Sequence, residues 1–380
     1  MRILHVDHSP IVGGAERSVL ELARAQLARG HDVRVAVGRR GDFSALLTAN
    51  AVPWHDLGWS ARYVSTSRAA SSLELLARAP DVIRAVMSLR GAIAEWRPDV
   101  VQAHTRKAQL IATFAVTRFD VALIWHIRDA LPSRAPLRAL IRRAIRRAHH
   151  AVALSDWLRQ SYAESGATPR SGRIGIVPSG IDPAELAVLR TPWLAGEREP
   201  VIGYVGQVAQ WKGPHLLVDA AEHMTDVRAT FRIIGGVWFP ASERAYGQWL
   251  RRRIASSPAS DRVEWLPATA RPAEAFEQID VLAHTSLEPE PFGRVLVEAA
   301  VARRPIVALR HGSTTELLDE STAVFAAHPD GTSMAAAIKQ LIDDPDRARA
   351  LATQAVLSAA SFTPDAVAGA MDAEYASLRS

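Results

Sequence analysis

The chain contains no cysteine, which excludes disulfide bonds, thiolate metal ligands and cysteine nucleophiles together. It also lacks any run of about 18 apolar residues, the length that a membrane-spanning helix requires. Residues 1–7 have the pattern of a buried strand and lack the apolar core of a signal peptide. From these absences we expect a cytoplasmic protein without a membrane span.

Lysine is almost as rare as cysteine. Among the 45 basic residues only Lys107, Lys212 and Lys339 are lysines, and the others are arginine. Arginine stays protonated to higher pH than lysine, so a net charge of only +5 accompanies a pI of about 9.9. No nucleic-acid-binding motif accompanies this charge, and we expect no nucleic acid among the partners.

At 380 residues the chain exceeds what one hydrophobic core usually supports, so two domains are expected. Short apolar runs typical of buried parallel strands alternate with segments of helical period, and the alternation restarts after a Pro- and Gly-rich segment at 180–200. This pattern predicts two α/β sheets covered by helices on both faces. Predicted strands are 3–6, 33–37, 100–103, 122–125 and 151–154, then 201–205, 230–234, 263–266, 281–283, 306–308 and 323–325. Predicted helices include 17–29, 73–96, 136–147, 214–223, 242–254, 293–303 and 332–342.

Ligands of such sheets bind beyond the carboxyl ends of the strands, so the loops there carry the candidate chemistry. Gly13 and Gly14 follow the first strand and precede a predicted helix. Two glycines let the backbone approach a ligand closely, and a helix N-terminus favours an anion. A tight strand-to-helix turn would give the same pattern.

A second loop, GQVAQWKG at residues 206–213, follows the first strand of the second half. Its Lys212 carries a compact ammonium group, which suits contact with a diphosphate as a point charge. A solvated surface lysine is the alternative that this loop leaves open.

The densest motif, EPEPFGRVLVE, follows the fourth predicted strand of the second half. Glu290 precedes the predicted helix and Glu298 lies on it. The first free amides of that helix belong to Gly293, Arg294 and Val295, and would point at an anion. Two carboxylates there can accept hydrogen bonds from sugar hydroxyls on either side of a phosphate. A carboxylate that satisfies the helix dipole, together with a solvated helix glutamate, is the alternative.

Taken together, these motifs resemble glycosyltransferase family 4. The strongest match is the pair of glutamates with seven residues between them. The other matches follow in family order along essentially the whole chain. The matching segments are 13–17 (GGAER), 177–182 (VPSGID), 211–213 (WKG), 233–236 (IIGG) and 290–299 (EPFGRVLVEA).

The resemblance implies the GT-B fold, in which two Rossmann-like domains face each other across a cleft. It implies an acceptor domain over residues 1–182, a nucleotide-sugar donor domain over 183–361, and a C-terminal helix at 362–380 that packs on the first domain. It also implies retaining transfer of hexosyltransferase type from a nucleotide-diphosphate sugar, without a metal or other cofactor. An acidic run at 343–346 accordingly reads as a turn between helices.

The resemblance also assigns roles to single residues. Glu298 would hold the ribose hydroxyls, and Glu290 would contact the transferred sugar. His126, at the end of a first-domain strand, would lie beside the reacting sugar, and for His104 structural and functional roles are equally open. The catalytic candidates are His126, Glu290 and Lys212. The donor-binding candidates are Gly14, Gln207, Lys212, Gly293, Arg294, Val295 and Glu298.

Two positions depart from the family pattern. Gln207 stands where the family commonly has an arginine that helps the lysine to hold the diphosphate, and a glutamine brings no charge. The loop HGSTTE at 311–316 replaces a pair of glycines, so a close backbone approach to the sugar is less expected there. Base recognition is expected from loops around 266–268, and acceptor contacts from the weakly patterned segment 54–68.

One predicted helix is strongly basic on one side, with apolar residues between its arginines. Such an element can lie on an anionic membrane surface, which would suit a lipid-linked acceptor. A solvated, arginine-rich face is the alternative. The arginines are Arg138, Arg142, Arg143, Arg146 and Arg147.

The sequence therefore predicts a retaining glycosyltransferase that moves a sugar from a nucleotide-diphosphate sugar to a hydroxyl of a glycan, glycolipid or small molecule. Its expected place is the cytoplasm, with peripheral contact to the inner face of the membrane through the basic helix left open. Two alternatives share the architecture. One is a nucleotide-sugar epimerase, and the other is a nucleotide-sugar-binding protein without catalytic activity.

Overall fold

A computed structural model of the protein describes residues 1–64, 79–186, 198–238 and 241–378, without the side chains of residues 241 and 242. The chain divides into two compact units, Met1–Gly180 with Pro364–Ser380, and Ile181–Thr363. The expected boundaries stood after residues 182 and 361. Residues 187–197 of the expected linker, 65–68 of the expected acceptor segment and 73–78 of an expected helix lie outside the described residues.

The first unit is built on a seven-stranded sheet in the order β3-β2-β1-β4-β5-β6-β7, and all neighbouring strands are parallel. Its strands are β1 Arg2–Asp7, β2 Asp32–Val37, β3 Trp54–Asp56, β4 Val100–Ala103, β5 Ala122–Ile127, β6 His150–Ala153 and β7 Ile174–Ile176. Its helices are α1 Gly14–Ala28, α2 Asp42–Ala49, α3 Ala61–Val64, α4 Ala79–Trp96, α5 Arg106–Ala115, α6 Ala135–Ile145, α7 Asp156–Glu164 and, at the C-terminus, α15 Pro364–Ala376, with a 3₁₀ turn at Val116–Arg118.

The second unit is built on a six-stranded parallel sheet in the order β10-β9-β8-β11-β12-β13. Its strands are β8 Val201–Val205, β9 Thr230–Ile234, β10 Val263–Leu266, β11 Val281–His284, β12 Ile306–Leu309 and β13 Val324–Ala326. Its helices are α8 His215–Glu222, α9 Ala241–Ala255, α10 Pro272–Phe276, α11 Arg294–Val301, α12 Thr314–Leu317, α13 Gly331–Asp343 and α14 Pro345–Ala359, with 3₁₀ turns at Pro183–Glu185, Gln210–Lys212 and Ala360–Phe362.

In both sheets the strand order reverses beside the first strand, between β1 and β4 and between β8 and β11. Loops that leave such a reversal diverge, and the crevice between them is where doubly wound sheets bind ligands. The loops after β1, β4, β8 and β11 carry most of the candidate residues. The predicted fold class of two Rossmann-like domains is therefore confirmed.

Two strands were missed from the sequence, β3 and β7. Each has only three residues and forms an edge of the first sheet. Their segments, WHD and IGI, contain polar residues or glycine and form no continuous apolar run, whereas β13, an edge strand of equal length, lies in the apolar run 323–327 and was predicted. The inner strands show that pattern because both of their faces are buried. Ile3, Val35 and Ile124, for example, have no exposed surface.

The C-terminal helix α15 belongs to the first unit and packs on α1. Its buried face consists of Val367, Ala368, Met371 and Tyr375. At its exposed side Arg29 of α1 donates to Asp372 at 2.8 Å. This helix places Tyr375 in the interior of the first unit.

Candidate active site

The loop after β8 brings Lys212 to the carboxyl edge of the second sheet. The 3₁₀ turn that contains Lys212 ends at Gly213, whose φ of +63° is left-handed. A Cβ on Gly213 would collide with the carbonyl oxygen of Thr285. Only glycine therefore lets this loop pack against the loop after β11. Thr285 Oγ1 donates to the Lys212 carbonyl at 2.9 Å and joins the two loops.

Glu290 lies in the loop after β11 and is only 4% exposed. Its Oε1 atom forms an ion pair with Lys212 Nζ and accepts a hydrogen bond from Ser286 Oγ. His284 Nε2 lies 3.3 Å from the same oxygen. Burial on its own would raise the pKa of Glu290, but Lys212 and His284 outweigh burial and hold that pKa well below its usual range. Glu290 is therefore a carboxylate at neutral pH.

His284 is uncharged in this arrangement, because burial lowers its pKa more than the neighbouring Glu290 raises it. A neutral imidazole has one N–H, and the contact with Glu290 places that proton on Nε2. Its Nδ1 atom is buried without a hydrogen-bond partner among the described residues. His284 and Ser286 were not identified from the sequence, although both directly precede the glutamate motif.

The loop after β12 completes the surroundings of Glu290. Ser313 Oγ donates to the Glu290 carbonyl at 2.8 Å. Gly312 has a φ of +58°, and a Cβ there would stand 3.0 Å from the Glu290 amide nitrogen. A single glycine thus brings this backbone close to Glu290, despite the departure from the family's glycine pair.

The helix α11 begins at Arg294, one residue after the predicted start. Gly293 caps it with a left-handed φ of +82°. The chain therefore turns sharply here, and the amides of Arg294 and Val295 lie in the first turn. Arg294 Nε donates to Glu298 Oε1 at 2.7 Å, and both side chains are about nine-tenths buried. The two ends of the glutamate motif thus each hold a cation, Lys212 at Glu290 and Arg294 at Glu298.

Gln207 is held by a carboxylate. Its Nε2 atom lies 2.9 Å from both carboxylate oxygens of Glu243 on α9. The next residue, Arg244, lines a cavity of about 410 Å³ together with Gly235, Gly236 and the loop 266–268. The loop from which base recognition was expected therefore borders a cavity large enough for part of a ligand.

Gly14 lies in the first unit, in the first turn of α1 rather than in a loop before it. The helix begins three residues earlier than predicted because Gly13 caps it. The Gly13 amide donates to Glu16 Oε2 at 2.9 Å, as in a capping box. Burial and the nearby Asp7 raise the pKa of Glu16 to about 7. The glycine motif therefore builds a helix start, and Gly14 itself is exposed.

His126 lies on β5 and is 1% exposed. Gln102 Nε2 donates to its Nδ1 at 3.0 Å, and its Nε2 lies 3.3 Å from the Val177 carbonyl. Burial and the charge of Arg128 lower the pKa of His126 well below its ordinary value. His104, whose ring centroid is 5.2 Å away, is also fully buried. Both histidines are therefore neutral.

The candidate residues form two groups. Gln207, Lys212, Glu290, Gly293, Arg294, Val295 and Glu298 lie at the carboxyl edge of the second sheet, and Gly14, His104 and His126 belong to the first unit. No three Asp, Glu or His side chains within the described residues lie close enough to hold a metal ion. The acidic run 343–346 forms a turn between helices, where Asp344 caps α14 by accepting from the Arg347 amide at 3.0 Å.

The basic helix α6 presents its arginines outward. Three of the five arginines, Arg138, Arg142 and Arg143, lie on α6, and Arg146 and Arg147 directly follow its last residue. All five are exposed, and none has a carboxylate partner in the part of the chain that the structure describes. The apolar residues Ile141, Ala144 and Ile145 are buried against the protein, whereas Leu140 is 44% exposed. The helix therefore offers charge to its surroundings and keeps its apolar face inside. Within the described ranges no helix is long and apolar enough to cross a membrane.

Comparison with known proteins agrees with this architecture. The profile described as Glycosyltransferase Family 4 matches residues 12–185, and that described as Glycosyl transferases group 1 matches residues 188–356. A glycogen synthase of Mycobacterium tuberculosis is 28% identical over 384 residues, covering 92% of this chain and 88% of that protein. A D-inositol 3-phosphate glycosyltransferase of Nocardia farcinica is 30% identical over 203 residues, which are 50% of this chain and 44% of that relative.

Among solved structures, the Anabaena protein HepE in complex with UDP-glucose is 25% identical, with a TM-score of 0.83, and covers 99% of this chain and 100% of its own. The sucrose-phosphate synthase of Thermosynechococcus elongatus shares the fold with a TM-score of 0.82 at 17% identity. Fold and matches define a glycosyltransferase of the GT-B class. The chain belongs to glycosyltransferase family 4.

The buried ion pair yields a testable prediction about stability. Lys212→Ala should lower the free energy of unfolding at neutral pH by about 3 kcal/mol, because Glu290 becomes a buried charge without its cation. In the wild type the folded pKa of Glu290 lies below its unfolded value, so the pair stabilises above that unfolded value and less as the pH falls. In Lys212→Ala, burial is no longer opposed by the lysine and raises the pKa of Glu290. At lower pH Glu290 takes up a proton, and the cost of burying its unpaired charge disappears.

The difference in unfolding free energy between the wild type and Lys212→Ala should therefore decrease as the pH falls from about 7 to about 4. Urea unfolding at both pH values measures it. Lys339→Ala is the matched control, because it removes an exposed lysine paired with Asp226 and should change stability little at either pH. If Lys212→Ala lowers the free energy of unfolding by the same amount at both pH values, the assigned charge of Glu290 is contradicted.

Proposed function

We propose that the protein transfers a sugar from a nucleoside diphosphate sugar to an acceptor hydroxyl, with retention of the anomeric configuration. The proposal rests on one arrangement, in which Lys212, Glu290 and the first turn of α11 meet at the carboxyl edge of the second sheet. HepE, which is similar over the full length, was solved with UDP-glucose. UDP-glucose is therefore the first donor to test.

Lys212 and the amides of Arg294 and Val295 would stabilise the departing diphosphate. Charge that develops on a leaving group is stabilised best by donors that are already in place and sheltered from water. Lys212 is 19% exposed, so its ammonium can be reached by a ligand while its surroundings are largely dry. The Lys212 ammonium and the helix amides would take the place of a divalent metal ion. We therefore propose that the reaction requires no metal ion.

The ion pair gives Glu290 a second task. A diphosphate would compete with Glu290 for Lys212, since both are anions. Once Lys212 turns to the diphosphate, Glu290 Oε1 becomes available to a hydroxyl of the transferred sugar. The ion pair would thus keep the site neutral when it is empty and couple diphosphate binding to sugar recognition.

Glu298 would accept hydrogen bonds from the ribose hydroxyls. Arg294 fixes its position through the 2.7 Å contact, so the carboxylate is oriented before the donor binds. Gln207 would not approach the phosphates as a charged residue does, because Glu243 already holds its amide. The donor's negative charge would then depend chiefly on Lys212 and on the helix amides.

In the first unit, Gly14 and His126 are proposed to serve the transferred sugar. Gly14 is exposed at the start of α1 and has no side chain to block close approach. His126 would lie beside the sugar as an uncharged imidazole, since its only N–H is held by the Val177 carbonyl. In the reaction, the bond between the anomeric carbon and the phosphate oxygen breaks, and the acceptor oxygen bonds to the same face. The acceptor proton leaves with the diphosphate.

The acceptor is proposed to be a hydroxyl of a glycan, a glycolipid or a small molecule. A lipid-linked acceptor would bring the protein to a membrane surface, and α6 with the two residues after it offers five exposed arginines for this contact, none with a carboxylate partner among the described residues. Each basic residue near an anionic surface contributes about 1 kcal/mol. Because the apolar face of α6 is buried in the protein, the contact would be electrostatic rather than inserted.

Donor binding can be dissected with substitutions at single positions. Lys212→Ala should weaken UDP and UDP-glucose alike by about tenfold or more, since it removes a charged hydrogen bond to the diphosphate. Glu290→Gln should weaken UDP-glucose more than UDP, because only UDP-glucose carries the sugar that Glu290 contacts. Titration calorimetry of both ligands measures this difference.

Lys339→Ala is the control and should bind both ligands as the wild type does. An equal loss of UDP and UDP-glucose in Glu290→Gln would contradict the assigned sugar contact. If no nucleoside diphosphate or its glucose conjugate shifts the melting temperature of the wild type at saturating concentration, the proposed function is wrong.

The stereochemical outcome is a separate prediction. Turnover of an α-linked donor should give an α-linked product, and excess EDTA should leave the rate unchanged. Proton NMR of the anomeric signal early in the reaction distinguishes the two configurations. A β-linked product, or a rate that returns only on adding magnesium, would contradict retention or metal independence respectively.

Membrane contact is tested by sedimentation with vesicles. The wild type should bind vesicles of anionic lipid at low salt and be released at high salt, because the screening length falls from about 10 Å to about 3 Å between 0.1 M and 1 M. The triple variant Arg142→Glu/Arg143→Glu/Arg146→Glu should lose binding. The control variant Arg118→Glu/Arg347→Glu/Arg349→Glu carries the same change in charge at positions outside α6 and should still bind the vesicles. Equal binding by both triple variants would exclude α6 as the contact.

A further inference from the structure

A chain of hydrogen bonds runs through the interior of the first unit to His126. It begins at His104 Nε2, 2.8 Å from His5 Nδ1, and continues from His5 Nε2 to Gln26 Oε1 at 2.7 Å. Gln26 Nε2 donates to the Tyr375 hydroxyl at 2.9 Å. The six side chains that form this series of hydrogen bonds are each only 0–1% exposed, so solvent does not interrupt the series.

The second half of this chain passes through the C-terminal helix. The Tyr375 hydroxyl donates to Gln102 Oε1, and Gln102 Nε2 donates to His126 Nδ1 at 3.0 Å. The last contact joins His126 Nε2 to the carbonyl oxygen of Val177, 3.3 Å away. Residues from β1, α1, α15, β4 and β5 are thus linked in one line.

The Val177 carbonyl sets the direction of the whole chain. A carbonyl oxygen can only accept, so His126 Nε2 must carry a proton. In a neutral ring Nδ1 then has no proton and must accept from Gln102 Nε2. The amide orientations of Gln102 and Gln26 follow, because each has one acceptor and one donor end. If every hydrogen bond ran in the opposite direction, the unprotonated Nε2 of His126 would face the Val177 carbonyl oxygen, and both atoms are acceptors. His104 would then carry its proton on Nδ1, which is buried without a partner among the described residues.

We propose that Tyr375 and Gln102 are positioning residues, which fix His126 as a neutral imidazole with its single proton on Nε2. This inference rests on the proposed function insofar as His126 serves the transferred sugar. A ring locked in this form gives its only N–H to the Val177 carbonyl and carries no positive charge. The reacting sugar develops positive charge as its bond to the phosphate breaks, and a cationic histidine beside it would oppose that change.

The charged and titratable groups that face His126 support the same state. They are His5 on β1, His104 after β4 and Arg128 after β5. Burial lowers the pKa of His126 first, and the positive charge of Arg128 lowers it further. Burial raises the pKa of Tyr375, so its hydroxyl keeps the proton that it donates.

The protonation state can be read by NMR on protein labelled with ¹⁵N-histidine, independently of activity. The signals of His126 are identified by their loss in His126→Gln. In the wild type we expect Nδ1 unprotonated and Nε2 protonated across the neutral range. In Gln102→Glu a carboxylate faces Nδ1, which should then gain a proton, and kcat should fall at least tenfold.

Tyr375→Phe keeps the ring in the core and removes only the hydroxyl. We expect Nδ1 of His126 to show a mixture of protonated and unprotonated forms, and kcat to fall several-fold while the Kd for UDP is unchanged. Tyr162→Phe is the matched control. It removes the hydroxyl of an equally buried tyrosine of the first unit, one that bonds to the Asp129 carbonyl instead, and it should keep wild-type signals and kcat.

A wild-type His126 with its proton on Nδ1, or His126 signals unchanged in both Gln102→Glu and Tyr375→Phe, would overturn the proposal. The proposed function fails by a different observation. If His126→Gln turns over UDP-glucose at the wild-type rate, His126 does not serve the sugar, whatever its protonation state. Melting temperatures of all the variants separate these results from a loss of folding.

Discussion

Burial of polar groups in dry surroundings is the constraint on which both candidate sites depend. In the second unit the constraint is met by charge pairing, because Glu290 is only 4% exposed and forms an ion pair with Lys212. A buried carboxylate without such a partner would take up a proton or destabilise the fold. The pairing keeps Glu290 charged and holds the loops after β8 and β11 together.

In the first unit a series of neutral side chains meets the same constraint through hydrogen bonds. His5, His104 and His126 are neutral, and the N–H of each donates along a series of hydrogen bonds that ends at a backbone carbonyl. The unprotonated Nδ1 of His104 is buried without a partner among the described residues. Neutral polar groups are less costly to bury than ions, provided that every donor finds an acceptor. The two units, built on similar sheets, therefore bury polar groups in different ways: through an ion pair at the edge of the second sheet, and through hydrogen bonds between neutral side chains inside the first unit.

Much of the fold could be predicted because buried parallel strands leave continuous apolar runs. The inner strands and the longer helices were found close to their observed bounds, as with α8 and α13. The edge strands β3 and β7 were missed, since neither lies in a continuous apolar run, as the three-residue edge strand β13 does. The start of α1 was misplaced because a glycine cap followed by a buried glutamate resembles a loop. Local composition alone does not distinguish a loop from a glycine-capped helix start.

The sequence by itself determined the order of the two α/β units and the family. It also identified the loops that carry Lys212, Glu290 and Glu298, because motifs within one segment are fixed by chain connectivity. Which side chains these groups contact became clear from the tertiary structure alone. The pairing of Lys212 with Glu290 spans 78 residues, and that of Tyr375 with Gln102 spans 273. Contacts between segments so far apart depend on how strands are ordered and helices are packed, which no local pattern encodes.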